Sequence, residues 1–179
     1  HPSATFDLGG LRVNGVDLTF EPGTLLGPGA FGVVSESLPG YAAAYTNAEA
    51  VIATYGGSLD NGGETISLLM PVGSNTWAEL DRVRYGDSPP WPTEADGLGP
   101  SLQLRDASQD NNRVANWGVD LTTLYTPGAP NSLATNLPPI PGVWINEVMP
   151  SNSNFVADGA GDFDSWLELH NADSAPVDL

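Results

Sequence analysis

Cysteine is absent from the 179 residues, which removes a disulfide framework and any thiolate metal site. Lysine is absent too: the five basic residues are all arginines, against 22 acidic ones, for a formal net charge of −17. A surface this negative repels phosphate backbones and anionic lipid, so neither nucleic acid nor membrane insertion is expected. Without lysine no phosphate-binding loop is complete. No apolar run reaches the length of a membrane span, and no stretch reads as a signal peptide. Histidine is limited to His1 and His170, and no Gly-x-Ser-x-Gly stretch occurs, so nucleophilic hydrolysis has no motif to rest on.

The chain is rich in the residues that turn it: 21 glycines and 16 prolines imply many turns and short strands. Aromatic and aliphatic residues are spread throughout, enough for a real core rather than wholesale disorder. The acidic excess suits divalent cations or a saline environment, and equally the solubility of a secreted exterior.

Alternation of apolar and polar residues marks the strands. Leu11-Arg12-Val13 and Val16-Asp17-Leu18-Thr19-Phe20 flank Asn14-Gly15, a strong hairpin signal because both turn residues favour positive φ. Val16, Leu18 and Phe20 are expected in the core, and Ala30 to Val34 reads as a buried strand. Residues 35 to 57 are irregular, with two helical turns expected over Asn47 to Thr54, where Ala48, Glu49 and Ala50 favour helix. Ile66 and Leu68 share one face of the next strand, and Val83 and Tyr85 share one face of a strand over Trp77 to Tyr85. Residues 121 to 141 hold Thr126-Pro127-Gly128-Ala129-Pro130 and Leu137-Pro138-Pro139-Ile140-Pro141, a proline density that reads as an extended linker.

Beyond it, Trp144-Ile145-Asn146-Glu147-Val148 leads through an Asp/Gly loop into Trp166-Leu167-Glu168-Leu169-His170-Asn171. Leu167 and Leu169 alternate with Trp166, Glu168 and His170, the period of a half-buried strand. His1 to Leu8 repeats His170 to Leu179 in a form two residues shorter. The expectation is one period of a tandem array, cut out of register.

Three places carry candidate chemistry. Asp158, Asp162 and Asp164 lie within seven residues among glycines and offer hard oxygen ligands to calcium, although the spacing is not that of an EF-hand; turn preference explains the same residues. Trp166, Glu168 and His170 share the polar face of their strand, where a tryptophan stacks on a sugar or anchors a partner, or simply covers a sheet edge. Glu147 and Glu168 are the nearest approach to a glycosidase pair, but they occupy positions better read as structural. Asp87 with Asp96, Asp106 and Asp110 form looser acidic groups that turn chemistry accounts for.

Together these motifs resemble the bacterial lamin tail domain. The resemblance is carried by the Ile-Asn-Glu-Val opening, the acidic loop and Trp166-Leu167-Glu168-Leu169. It continues through Phe20-Glu21-Pro22-Gly23-Thr24, Leu59 to Leu68, Gly86 to Pro92 and Asp110 to Trp117. Leu11 stands where that family usually has tryptophan. The resemblance covers residues 1 to about 118 and 143 to 179. It implies an all-β, immunoglobulin-like antiparallel β-sandwich with a non-catalytic structural or adhesion role in a large secreted or cell-surface protein, its partner a protein, a glycan or neighbouring repeats. The alternative is a calcium-dependent carbohydrate-binding module. Residues 1–120 are then a sandwich lacking its first strands, 121–141 a linker, and 142–179 the opening strands of the next repeat. At roughly 3.3 Å per residue the linker reaches about 65–70 Å, so those strands are expected to fold back and close the sandwich in circularly permuted order.

Overall fold

The computed structural model describes residues 3–177. The chain divides into two units, one running to Leu137 and one beginning at Pro138. His1, Asp178 and Leu179, on which part of the repeat comparison rests, lie outside the described residues.

The larger unit carries β1 (Phe6–Asp7), β2 (Arg12–Asn14), β3 (Leu18–Thr19), β4 (Leu25–Leu26), β5 (Val33–Ser35), α1 (Leu38–Ala44), β6 (Val51–Thr54), β7 (Thr65–Gly73), β8 (Thr76–Arg84), β9 (Gln103–Leu104) and β10 (Trp117–Gly118). Its main sheet is antiparallel in the order β3-β2-β7-β8, and β1-β4 and β9-β10 form small antiparallel pairs. The chain is thus mostly β, as expected. Val16, Leu18 and Phe20 are the buried heart of the unit, packed by Leu8, Leu11, Val13, Val34, Ile52, Tyr55 and Leu68. Spaced two apart, they leave the chain on one side. Each contributes on the order of 1.5–3 kcal/mol by leaving water.

Local structure departs from expectation at four points. The Asn14-Gly15 hairpin forms, but Val13 pairs with Leu18, so its loop is longer than two residues. Asp17 is drawn aside into a bridge with Gly56, each N–H donating to the other's carbonyl at 3.2 and 3.1 Å. The buried strand read over 30–34 shifts to Val33–Ser35 and is only half-buried, because Ala30 is held in a turn by its N–H to Gly27 O. It pairs with β6 in parallel, an exception to the antiparallel expectation. The helix expected over 47–54 shrinks to a single 3-10 turn, Ala48–Ala50, since Val51 and Ile52 are β-branched and enter the β5-β6 pair. The true helix is α1, capped by Ser37, whose Oγ accepts the Gly40 N–H at 3.2 Å.

Most of the proline-rich stretch is fastened to the larger unit rather than free. Asn47 Nδ2 donates to Pro127 O at 2.7 Å, Asn131 Nδ2 to Leu104 O at 2.9 Å, and Thr135 N to Arg105 O at 2.8 Å. The division between units therefore falls inside the proline-rich segment, after Leu137.

The smaller unit is a hairpin of β11 (Val143–Met149) and β12 (Trp166–Asn171). These strands pair with each other in a two-stranded antiparallel sheet. A bulge between Ile145 and Glu147 shifts the register, so that Ile145 faces Leu169 and Val148 faces Leu167.

Candidate functional site

The bulge sorts the hairpin into two unlike faces. Val143, Ile145, Val148, Leu167 and Leu169 share one, and Trp144, Glu147, Met149, Trp166, Glu168 and His170 share the other. The expected trio of Trp166, Glu168 and His170 is thus brought to one face, with a second tryptophan, Trp144, opposite His170. Glu147 stands directly across from Glu168, a like-charged pair relieved by Asn146, whose Nδ2 donates to Glu168 Oε1. Every residue of β12 is exposed, so neither face is the half-buried surface the alternation suggested.

The loop joining the two strands is organised by side chains that close on their own backbone. Asn152 Nδ2 donates to Val156 O at 2.6 Å, and its Oδ1 accepts Val156 N at 3.3 Å. Asp158 Oδ1 accepts the N–H groups of Ala160 at 2.8 Å and Asp162 at 2.9 Å. These hydrogen bonds, that from Asp162 foremost, hold the Asp158 carboxyl below the usual carboxylate range. Asp162 and Asp164 are exposed. Among the described residues no three His, Cys, Asp or Glu side chains are gathered in a group that could hold a metal ion. Asp158 organises the turn through its two hydrogen bonds from Ala160 and Asp162.

The larger unit contains a feature that sequence reading missed. A cavity of about 420 Å³ opens between the ends of β7 and β8, the loop over 86–97 and β10. Trp91 and Trp117 lie in its wall with ring centroids 6.1 Å apart and planes inclined by 50°. Trp117 is pinned by its Nε1–H, which donates to Asn111 O at 2.7 Å. Tyr85 contributes a third ring, its hydroxyl donating to Asp60 O at 2.7 Å with Glu64 Oε1 at 3.0 Å as the other acceptor. Burial, then the Glu64 hydrogen bond, pushes the Tyr85 hydroxyl well above the ordinary tyrosine range. Asp60, Asp87 and Asp96 also line it, together with apolar residues such as Leu59, Ile66, Val83 and Leu102.

Behind Trp117 sits a polar knot. Asn116 is fully buried and Asp106 nearly so. The Asp106 carboxylate accepts Ser108 Oγ at 2.6 Å, Ser108 N at 2.9 Å, Leu137 N at 2.9 Å and Gln109 Nε2 at 3.3 Å. Chiefly through Ser108, these donors hold it below the usual range. The knot fixes the strand that carries Trp117, and with it one wall of the cavity. No family model, curated protein or solved structure matches this chain.

Proposed function

We propose that the chain is a non-catalytic interaction module of the lamin-tail-like, immunoglobulin-like kind, repeated within a large secreted or cell-surface protein, and that its partner is a neighbouring repeat. The observation that carries this reading is the apolar face of the C-terminal hairpin: Ile145, Val148, Leu167 and Leu169 are 67, 56, 59 and 47% exposed. A two-stranded hairpin is marginal alone, and burying such side chains contributes roughly 1.5–3 kcal/mol each. A covering body is therefore favoured, and the internal repeat points to a body like the larger unit of another copy. Closure of this kind, in trans between chains or in circularly permuted order within one, completes an immunoglobulin-like sandwich.

Sedimentation across a range of concentrations tests it. Closure in trans gives a self-associating chain that Leu167→Asp renders monomeric. Closure within the chain gives a monomer whose melting temperature falls in the same variant. A Leu167→Asp chain unchanged in both mass and melting would overturn the reading.

A second reading, a calcium-dependent carbohydrate-binding module, is favoured by one observation: Trp144 and Trp166 share an exposed face with Glu168 and His170. Glycan-array binding lost in Trp166→Ala and abolished by chelator is its expected signature. Binding indifferent to chelator would remove calcium, held by Asp158, Asp162 and Asp164, from that reading.

A further inference from the structure

The cavity of the larger unit has a chemistry independent of the hairpin. We propose that it binds an organic cation, an alkylated ammonium group above all, held against the aromatic wall that Trp91 and Trp117 form together, in a cavity whose charged lining residues are Asp60, Asp87 and Asp96.

The size admits a small molecule or one side chain: about 420 Å³ lies within the range of ligand sites. Its charged lining is of one sign, since the three aspartates are joined by no arginine and the chain has no lysine. Arg82 and Arg84 line a separate hollow that also touches Trp91, and Arg82 is directed to Glu79 at 3.7 Å. An anion is therefore repelled. A neutral sugar stacks on the rings but leaves three negative charges without a counter-charge. A cation satisfies both features, because the aromatic face is negative and the charged residues lining the cavity are all acidic.

A bulky cation fits better than a bare metal ion, since the carboxylates do not converge to a metal-sized point among the described residues. The walls are also set in advance. Trp117 is fixed through Asn111, and Tyr85 is fixed through Asp60 and Glu64. Preformed walls reduce the ordering cost of binding.

The test uses the intact chain labelled with nitrogen-15 and follows its five tryptophan indole N–H signals. Choline and lysine amide serve as two sources of the ammonium group, with 3,3-dimethylbutan-1-ol as the neutral counterpart of choline and N-acetylglucosamine as the sugar. The expected result is that choline or lysine amide shifts the Trp91 and Trp117 signals but not those of Trp77, Trp144 and Trp166. The source that binds more tightly identifies the natural carrier. Binding should weaken about tenfold or more for the neutral alcohol, and by a similar factor in Asp87→Asn/Asp96→Asn. Those two residues lie on loops rather than in strands, so the variant remains informative even where Trp117→Ala fails to fold. Equal binding of the neutral alcohol, shifts produced by the sugar alone, or no shift with either ammonium compound would overturn the proposal.

Discussion

The side chain of Asn116 clasps the backbone of Asp106 from both sides: its Oδ1 accepts Asp106 N at 2.8 Å and its Nδ2 donates to Asp106 O at 2.9 Å. Asn116 thereby stands in for a strand neighbour at a point where the chain leaves β9. With no exposed surface, neither half of the clasp has water as a substitute. Asn116→Ala should then leave a buried N–H and C=O unpaired, a loss on the order of 2–4 kcal/mol. Urea unfolding of the variant measures it. A loss below about 0.5 kcal/mol, the scale of an ordinary surface change, would mean the clasp is dispensable.

Acid should weaken the same region. Asp106 and Asp120 both have carboxyls held below their ordinary value of 3.8, Asp120 down to about 2, chiefly through Ser132. A depressed carboxylate contributes stability that is present above its unfolded value and lost as pH falls through its folded value. Stability should therefore hold down to about pH 4 and decline toward pH 2. Asp106→Asn should flatten that decline, because position 106 no longer takes up a proton. Urea midpoints at stepped pH follow it, and an equally steep acid limb in the variant would assign the loss to other groups.

Sequence showed the strands more clearly than the site, for physical reasons visible residue by residue. Val16, Leu18 and Phe20 declare their burial by a two-residue period, and the structure buries all three. Helix α1 was hidden because Pro39 and Gly40 are poor helix formers. It exists through its Ser37 cap and through Tyr41, which is buried, packs on Tyr45 at 4.6 Å and donates its hydroxyl to Asn47 Oδ1 at 3.0 Å. Those are tertiary relationships that local propensity does not encode. The cavity was invisible for a related reason: Tyr85, Trp91 and Trp117 are scattered over more than thirty positions, and only the fold gathers them. The acidic loop was legible as a turn, whereas convergence of its carboxylates is a matter of side-chain geometry.

Ionic strength should matter more than usual. The chain carries a net charge of −17, and the one ion pair among the described residues, Arg82 with Glu79, is exposed and 3.7 Å long. Self-repulsion at low salt is screened once the Debye length shrinks to about 10 Å near 0.1 M. The melting temperature should rise from low to moderate sodium chloride, with potassium chloride giving the same increase. A flat profile would show the acidic groups too dispersed to repel.

Gly63 couples the main hairpin to the cavity, and a single methyl group tests it. The residue has φ near +106°, and a Cβ built there meets Tyr85 O at 2.5 Å and Gly86 Cα at 2.7 Å. Both obstacles are backbone, so no rotamer change relieves them. Gly10 offers the comparison, with φ near +83° and nothing within 4 Å of its Cβ position. Gly10→Ala should cost only the left-handed backbone strain, about 1–2 kcal/mol. Gly63→Ala should cost that strain plus displacement of the end of β8, about 3 kcal/mol or more. Because Tyr85 and Gly86 both line the cavity, a folded Gly63→Ala chain should also show shifted Trp91 and Trp117 indole signals. Gly10→Ala should leave those signals in place. Equal destabilisation by the two substitutions, with the cavity signals unmoved, would show that the backbone approach at Gly63 relaxes without effort and does not set the cavity wall.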